Sequence, residues 1–326
     1  MRRIFRFAGL ALLVLALAAG AAVALTWVDD VPVDALKARW APAPSSFVAL
    51  DGMQVHVRDE GPRDDPEPIV LLHGTSASLH TWDGWAAALR STHRVVRFDL
   101  PGFGLTGPDA RGDYSDAAYV RFVLRMLDAL RLQRVVLGGN SLGGAIAWQT
   151  AAAAPERVAR LILVDAAGYA FQPTSVPLGF RIARLPLARS LMAHMLPRGV
   201  IESSVRNVYG DPGRVTPELV DRYVAMTARA GNRAALARRM TQLTPGQGTE
   251  RLRTLKQPTL VLWGGRDRLI PPDSGRRFAA DIAGSRLVVF DDLGHVPHEE
   301  DAQRTAAAVA RFLDAEGPPA TAATMR

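Results

Sequence analysis

The stretch from Arg134 to Trp148 constrains this chain more than any other. Val135-Val136-Leu137 is a short apolar run of strand type, and Ala145 to Trp148 continues as an Ala-rich segment of helix type. The chain must turn sharply between them, and the residue at the tip of such a turn is held in a strained backbone conformation. Bulky side chains two positions to either side of the tip would collide. Glycine stands at both places, at Gly139 and Gly143, with Ser141 between them. The turn lifts the serine hydroxyl into a cleft and points the free N–H groups of the new helix toward it. Gly139-Asn140-Ser141-Leu142-Gly143, in a strand-turn-helix setting, therefore reads as a nucleophile elbow.

The same rhythm recurs along the chain. Ile69 to Leu72 and Arg160 to Val164 are apolar runs that predict buried strands, and Arg94 to Phe98, Thr259 to Trp263 and Ser285 to Phe290 show the same strand rhythm. Helical patterns lie between them, at Trp82 to Leu89, at Tyr114 to Leu130 and at Asp301 to Phe312. Phe47 to Leu50 and Met53 to Arg58 flank Asp51-Gly52 and predict a hairpin with a two-residue turn. Strands alternating with helices imply an α/β fold, a mostly parallel twisted sheet flanked by helices. From Tyr169 to Arg253 the rhythm changes to amphipathic helical segments, prolines and arginines without a strand pattern. This interval, 169–253, reads as a helical cap inserted into a core made of 47–168 and 254–315.

A serine hydroxyl is a poor nucleophile at neutral pH, so it needs a base, and the base needs an orienting group. Both residue types occur downstream in loops that follow predicted strands. Gly264-Gly265-Arg266-Asp267 follows the strand ending at Trp263, and Asp292-Leu293-Gly294-His295 follows the strand ending at Phe290. Each has a structural alternative: Asp267 as a turn or cap residue, His295 as a satisfied loop histidine.

With those motifs in view, the chain resembles the α/β-hydrolase superfamily over roughly Phe47 to Ala315, in the group of serine hydrolases of esterase or lipase type that carries a helical cap after strand six. Leu72-His73-Gly74, Asp99-Leu100-Pro101-Gly102-Phe103-Gly104 and Gly294-His295 add to the likeness. The resemblance implies the α/β-hydrolase fold, with Ser141 as nucleophile, His295 as base and Asp267 as orienting acid. It also implies an oxyanion hole formed by the backbone N–H groups of Thr75 and Leu142. Asp165, at the end of the strand before the cap, is the alternative acid. His73 is expected to orient the oxyanion loop, Asp99 to anchor its own loop, and His298, Trp82 and Trp148 to pack. The implied activity is hydrolysis of a carboxylic ester through an acyl-enzyme, with a small apolar acyl ester as substrate and no cofactor or metal. The alternatives are a carbon–carbon bond hydrolase acting on vinylogous diketone acids, with Arg206 as a possible carboxylate clamp, and a non-catalytic ligand-binding protein on the same fold. Lactonase, thioesterase, amidase and cofactor-free perhydrolase activities share the same machinery. Serine at the elbow argues against dehalogenase and epoxide hydrolase chemistry, which uses aspartate there.

The N-terminus carries a separate signal. Arg2, Arg3 and Arg6 precede an apolar run from Phe7 to Val28, long enough to cross a bilayer as a helix. The expectation is an uncleaved signal anchor over 1–28, a membrane partner, with the catalytic domain on the extracytoplasmic (periplasmic) side. A signal cleaved at Ala16-Leu17-Ala18 or Ala19-Gly20-Ala21, giving a secreted protein, is the alternative, and a buried core helix is a third reading. Residues 29–46, with Pro32, Pro42 and Pro44, read as a linker or a loosely docked segment, and 316–326 as a disordered tail. The chain has no cysteine, which excludes a thiol nucleophile, disulfides and thiolate metal sites. His80, His93 and His194 show no metal-ligand spacing. The net charge is +7, but the arginines are scattered and not grouped with aromatics, which argues against nucleic acid.

Overall fold

The computed structural model describes residues 27–183 and 195–315, together with positions 7, 10, 13, 14, 17, 20, 21 and 24. Its centre is an eight-stranded sheet in the order β1-β2-β4-β3-β5-β6-β7-β8. The strands are β1 (Ser45–Leu50), β2 (Met53–Glu60), β3 (Ile69–Leu72), β4 (Val95–Phe98), β5 (Val135–Asn140), β6 (Val158–Val164), β7 (Thr259–Gly264) and β8 (Arg286–Phe290). β1 and β2 form the predicted hairpin, with Leu50 opposite Met53 and both turn residues, Asp51 and Gly52, at positive φ. β2 also runs antiparallel to β4, and every later pairing is parallel.

The continuous apolar runs are explained by two cores, one on each face. Val70 and Leu72 of β3, Val96 and Phe98 of β4, and Leu161 and Leu163 of β6 join one cluster with helices Asp116–Ala129, Leu142–Ala153 and Asp273–Asp281. Ile69 and Leu71, Val95, and Ile162 and Val164 join the other with helices Asp83–Leu89 and Ala302–Ala315. Successive strand residues point to opposite faces, so burial on both sides favours apolar side chains; Arg97 of β4 and Arg160 of β6 are buried too, but paired with Glu60 and Asp83 and with Glu67. Trp82 and Trp148 are both buried in these cores.

Between β6 and β7 the described residues form helices and turns: Leu178–Ala183, Arg198–Val208, Pro217–Ala228 and Asn232–Thr241, with short 3-10 segments at Pro212–Arg214 and Thr249–Thr254. Thr216 caps the third of these helices by accepting from the N–H of Leu219, and Pro217 occupies its first position. This block sits over the carboxyl ends of the parallel strands. Residues 184–194, including His194, lie outside the described residues.

The stretch from 29 to 46 is docked and partly ordered. It carries helix Val33–Trp40, and Leu36 of that helix is buried against Leu105 and Met226. Prolines at either side of an eight-residue helix are compatible with helix between them, which composition alone does not reveal. The expected signal anchor falls largely on residues outside those described. The positions that are described, among them Phe7, Leu10, Leu13, Val14 and Leu17, are helical and exposed. No helix among the described residues is long and apolar enough to cross a membrane. The tail at 316–326 is likewise outside them.

His80 fastens the docked helix to the core. Its Nε2 lies 2.7 Å from the carbonyl oxygen of Trp40, and its Nδ1 lies 3.0 Å from Ser78 Oγ. Burial disfavours the charged imidazole and, outweighing the pull of Asp99 and Asp83, lowers its pKa to about 4. Between the unfolded value of 6.5 and about 4, the unfolded chain binds a proton that the folded chain refuses. The contribution of His80 is therefore intact above pH 6.5 and is lost as pH falls toward 4, at up to about 1.4 kcal/mol per pH unit. His73 and His298 are shifted in the same direction by burial, whereas the buried Asp165, shifted upward, acts oppositely. The expected result is a shallower drop in melting temperature from pH 6.5 to 4 for His80→Gln than for the wild type. Identical slopes would show that His80 does not titrate in this window.

Candidate active site

The elbow is built as its glycines require. Ser141 sits between β5 and helix Leu142–Ala153 at φ 54° and ψ −114°, a conformation that L residues adopt only when held there. It is held by its own N–H donating to Val164, and by its carbonyl accepting from Ala145 and Ala167. A Cβ at Gly139 would strike the backbone of Gly143, and one at Gly143 would strike the carbonyl of Leu72. Both collisions are with backbone, which cannot swing aside, so larger residues are excluded at both places.

The predicted acid and base arrive from neighbouring strand ends. Asp267 follows β7, and its Oδ1 accepts from the N–H groups of Leu269 and Ile270 at 2.8 and 2.9 Å. Its Oδ2 accepts from His295 Nδ1 at 2.7 Å. Asp267 therefore is a turn residue and the orienting partner at once, because a carboxylate has two oxygens to divide between the tasks. That bond fixes the imidazole with Nε2 as the acceptor. Ser141 and His295 line one cavity.

Asp165 lies beside them. Its Oδ1 accepts from the Gly264 N–H at 3.0 Å, and its Oδ2 is buried without a partner. One ligand atom each from Asp165, Asp267 and His295 fall within 4.8 Å of one another, the spacing of a possible metal site. His295 Nδ1 and Asp267 are already committed to each other and to the turn, which leaves Asp165 as the spare group. Burial and the neighbouring Asp267 carboxylate push its pKa well above the usual range. Two buried carboxylates this close cannot both ionise cheaply, which favours the protonated form of Asp165.

The loop after β3 is set by histidine and aspartate. His73 Nδ1 donates to its neighbour Gly74 at 2.8 Å, and its Nε2 accepts from the Leu100 N–H at 3.0 Å, so the neutral ring ties this loop to the loop after β4. Its pKa is lowered by burial, in keeping with that neutral form. Asp99 accepts from the N–H groups of Leu79 and Leu105 and from His56 Nδ1. Thr75 follows this loop and lines the cavity, and Leu142 opens the helix next to Ser141. Among the described residues neither backbone N–H is engaged by an acceptor. His298 packs against Trp82 with ring centroids 4.0 Å apart and planes tilted by 31°, and Thr81 bonds its Nε2.

The cavity has a volume of about 340 Å³. Its walls are mostly apolar and come from the cap: Phe180, Met195, Leu196, Val200, Ile201 and Val205 among others. Arg206 does not line it; its guanidinium is on Glu202 and the carbonyl of Pro212. Arg233 does line it, but one of its terminal nitrogens is held by Asp30 and the carbonyl of Val28. Those partners lie at and just after the end of the apolar N-terminal run, and Trp27 forms an isolated bridge with cavity-lining Met195.

Three contributors went unrecognised in the sequence. Asn140, adjacent to the serine, donates to the carbonyls of His295 and Val164 at 2.9 and 3.1 Å and so ties the elbow to the histidine loop. Glu300 accepts from three backbone N–H groups around His295 and the cap. His56, on the hairpin, supports Asp99. The elbow pattern leaves its second position free, and no spacing rule joins residues so far apart in the chain.

Comparison with known proteins places these features in context. Residues 67–302 match the model of the alpha/beta hydrolase fold family. The chain is 30% identical over 269 residues to a 2-hydroxymuconate semialdehyde hydrolase of Pseudomonas putida, covering 80% of this chain and 91% of that one. Among solved structures it resembles a membrane phospholipase A, with 28% identity, a TM-score of 0.71, and coverage of 97% of this chain and 99% of that one. It also resembles a meta-cleavage product hydrolase of Pseudomonas fluorescens, with 25% identity and a TM-score of 0.71 over 84% of this chain and 98% of that one.

Proposed function

The chain belongs to the α/β-hydrolase family, and from that premise we propose that it hydrolyses carboxylic esters with an apolar acyl chain, using Ser141, His295 and Asp267. The observation that carries this reading is the joint placement of Ser141 and His295 on a cavity walled by apolar cap side chains. Burying an apolar chain there gains roughly 0.8 kcal/mol per methylene. That binding energy can be spent on holding the carbonyl against Ser141.

In this reading Ser141 Oγ attacks the acyl carbonyl while His295 Nε2 takes its proton. The developing oxyanion is met by the N–H groups of Thr75 and Leu142, each worth about 3 kcal/mol in the transition state. His295 returns the proton to the leaving alkoxide, whose bond to the acyl carbon breaks. Water then attacks the acyl-enzyme by the same route, with His295 again as base, and releases the acid. Asp267 keeps Nδ1 protonated throughout and stabilises the imidazolium.

A carbon–carbon bond hydrolase is the second reading, favoured by the two similar enzymes whose names state that chemistry or its substrates. Such a substrate carries a carboxylate that needs a cationic partner. Arg206 is turned to Glu202, which weighs for the ester, whereas Arg233 lines the cavity with Nη2 on Asp30 and with Nε and Nη1 buried and, among the described residues, unpartnered, and is the cation such a carboxylate would meet. Hydrolysis of p-nitrophenyl esters of graded chain length tests the two. Turnover that rises from short to medium chains supports the ester reading, whereas activity confined to ring-fission diketone acids overturns it. Tight ligand binding without turnover of either class would point to a binding protein.

We also propose that residues 1–28 anchor the protein in a membrane with the catalytic domain on the extracytoplasmic side. Support comes from the basic-then-apolar pattern, from the exposed apolar positions Phe7, Leu10, Leu13, Val14 and Leu17, and from the contacts of Trp27, Val28 and Asp30 with Met195 and Arg233 of the cavity. The mass of the N-terminal peptide from membranes separates an intact anchor from a cleaved signal.

A further inference from the structure

The histidine loop is gripped from the core and from the cap together. On the core side, Asn140 Nδ2 donates to the carbonyl of His295 at 2.9 Å, and Asp267 holds the imidazole. On the cap side, the His295 N–H donates to the carbonyl of Val208, at 2.7 Å, the last residue of helix Arg198–Val208. Glu300 closes the joint. It is buried, at 8% exposure. Its Oε2 accepts from the N–H groups of Gly294 and Gly210 at 2.8 and 2.9 Å, and its Oε1 accepts from Asp211 at 2.7 Å. Gly294 directly precedes the histidine, whereas Gly210 and Asp211 follow the cap helix after its C-cap residue, Tyr209. The two backbones approach so closely that a Cβ on Gly294 would meet Gly210, Val208 and Tyr209.

The same cap helix is a wall of the cavity, through Val200, Ile201, Ser204, Val205 and Val208. One rigid element therefore touches the space for the acyl chain at its side and the backbone of the histidine at its end. We propose that Glu300 is a positioning residue that couples the cap to His295, so that an acyl chain filling the cavity accelerates the chemical step at Ser141 in addition to binding. This rests on the ester reading of the cavity.

The physical reason is differential packing. A chain in the cavity adds contacts to the inner face of helix Arg198–Val208 and favours the helix position it packs against best. Val208 and the Glu300 carboxylate pass that position to the loop as hydrogen bonds, which tolerate little displacement. A sub-ångström misplacement of a general base is costly to rate, so ordering the loop is read in the chemical step. A carboxylate aimed at backbone N–H groups of two separate segments suits this task, since charge-assisted bonds are short and strong.

The test uses alkyl p-nitrophenyl phosphonates on the full chain. In that reaction the Ser141 Oγ–phosphorus bond forms, the phosphorus–nitrophenolate bond breaks, and the serine proton passes to His295. Saturation kinetics separate the maximal inactivation rate from the binding constant. For the wild type, the octyl reagent is expected to exceed the ethyl reagent about tenfold in maximal rate, and for Glu300→Ala the ratio is expected to fall to within about twofold. Glu300→Gln, which keeps one acceptor oxygen, should be intermediate and serves if the alanine variant does not fold. A wild-type maximal rate independent of chain length overturns the coupling, with no variant needed. So does a variant in which both rates fall while their ratio stays. Because phosphonates need no ester turnover, a chain-length effect here with no hydrolysis of p-nitrophenyl esters would sink the ester reading and leave the coupling standing.

Discussion

Replacing Ser141 by alanine is expected to lower kcat/KM on an apolar p-nitrophenyl ester by about 10⁵-fold, because the route through an acyl-enzyme disappears while binding and the oxyanion donors remain. The change should leave the fold intact. The side chain's neighbours form a cavity, so no core contact is lost, and the elbow is held by backbone bonds from Val164, Ala145 and Ala167. Ser141→Gly separates activity from strain. A residue at φ 54° and ψ −114° carries strain that glycine relieves, so this variant should be equally inactive yet more stable by about 1 kcal/mol. Kinetics with a thermal melt on both variants checks the pair. Full activity in either would remove Ser141 from the chemistry. Lower stability in the glycine variant would show that the serine side chain supports the turn.

Asp267→Asn is the second large effect, expected to lower kcat by about 10⁴-fold. With the amide oxygen kept on the Leu269 and Ile270 N–H groups, the amide nitrogen faces His295 and donates to Nδ1, which moves the ring proton to Nε2 and leaves no base facing Ser141. Asp165→Asn should behave quite differently. Asp165 already holds its proton, pushed up by burial and by Asp267, so a neutral amide of the same shape keeps its charge state. Its loss in kcat should stay within about tenfold. The two variants assayed side by side decide which carboxylate orients the histidine. A severe loss in Asp165→Asn with a mild one in Asp267→Asn would transfer the role to Asp165.

Much of this arrangement was legible in the residues because local rules dictate it. A strand buried on both faces is mostly apolar, so β3 stands out as a continuous run, and β4, β6 and β7 as runs broken only by Arg97, by Arg160 and by the terminal Thr259. The elbow is legible because its two glycines flank Ser141 at fixed spacing, Gly139 being required by the backbone of Gly143 and Gly143 by the carbonyl of Leu72 on the neighbouring strand. Asp267 and His295 could be located because parallel strands deliver their following loops to one edge of the sheet. The segment at 29–46 was harder. Its prolines suggest a linker, but helix Val33–Trp40 is stabilised by burial of Leu36 and by His80, which no local pattern encodes.

What the sequence determined by itself is therefore the fold class, the serine turn and the order of acid and base along the chain. These follow from the periodicity of the strands and helices, from the glycine spacing of the turn, and from the way a parallel sheet delivers its loops to one edge. Only the tertiary structure decided that Asp267, and not Asp165, holds His295, that Arg206 faces away from the cavity, and that Glu300 and Asn140 brace the histidine loop. Those outcomes depend on which oxygen meets which N–H across segments far apart in the chain. Hydrogen bonding is settled by a few tenths of an ångström and by burial, and neither is defined until the sheet and cap have packed.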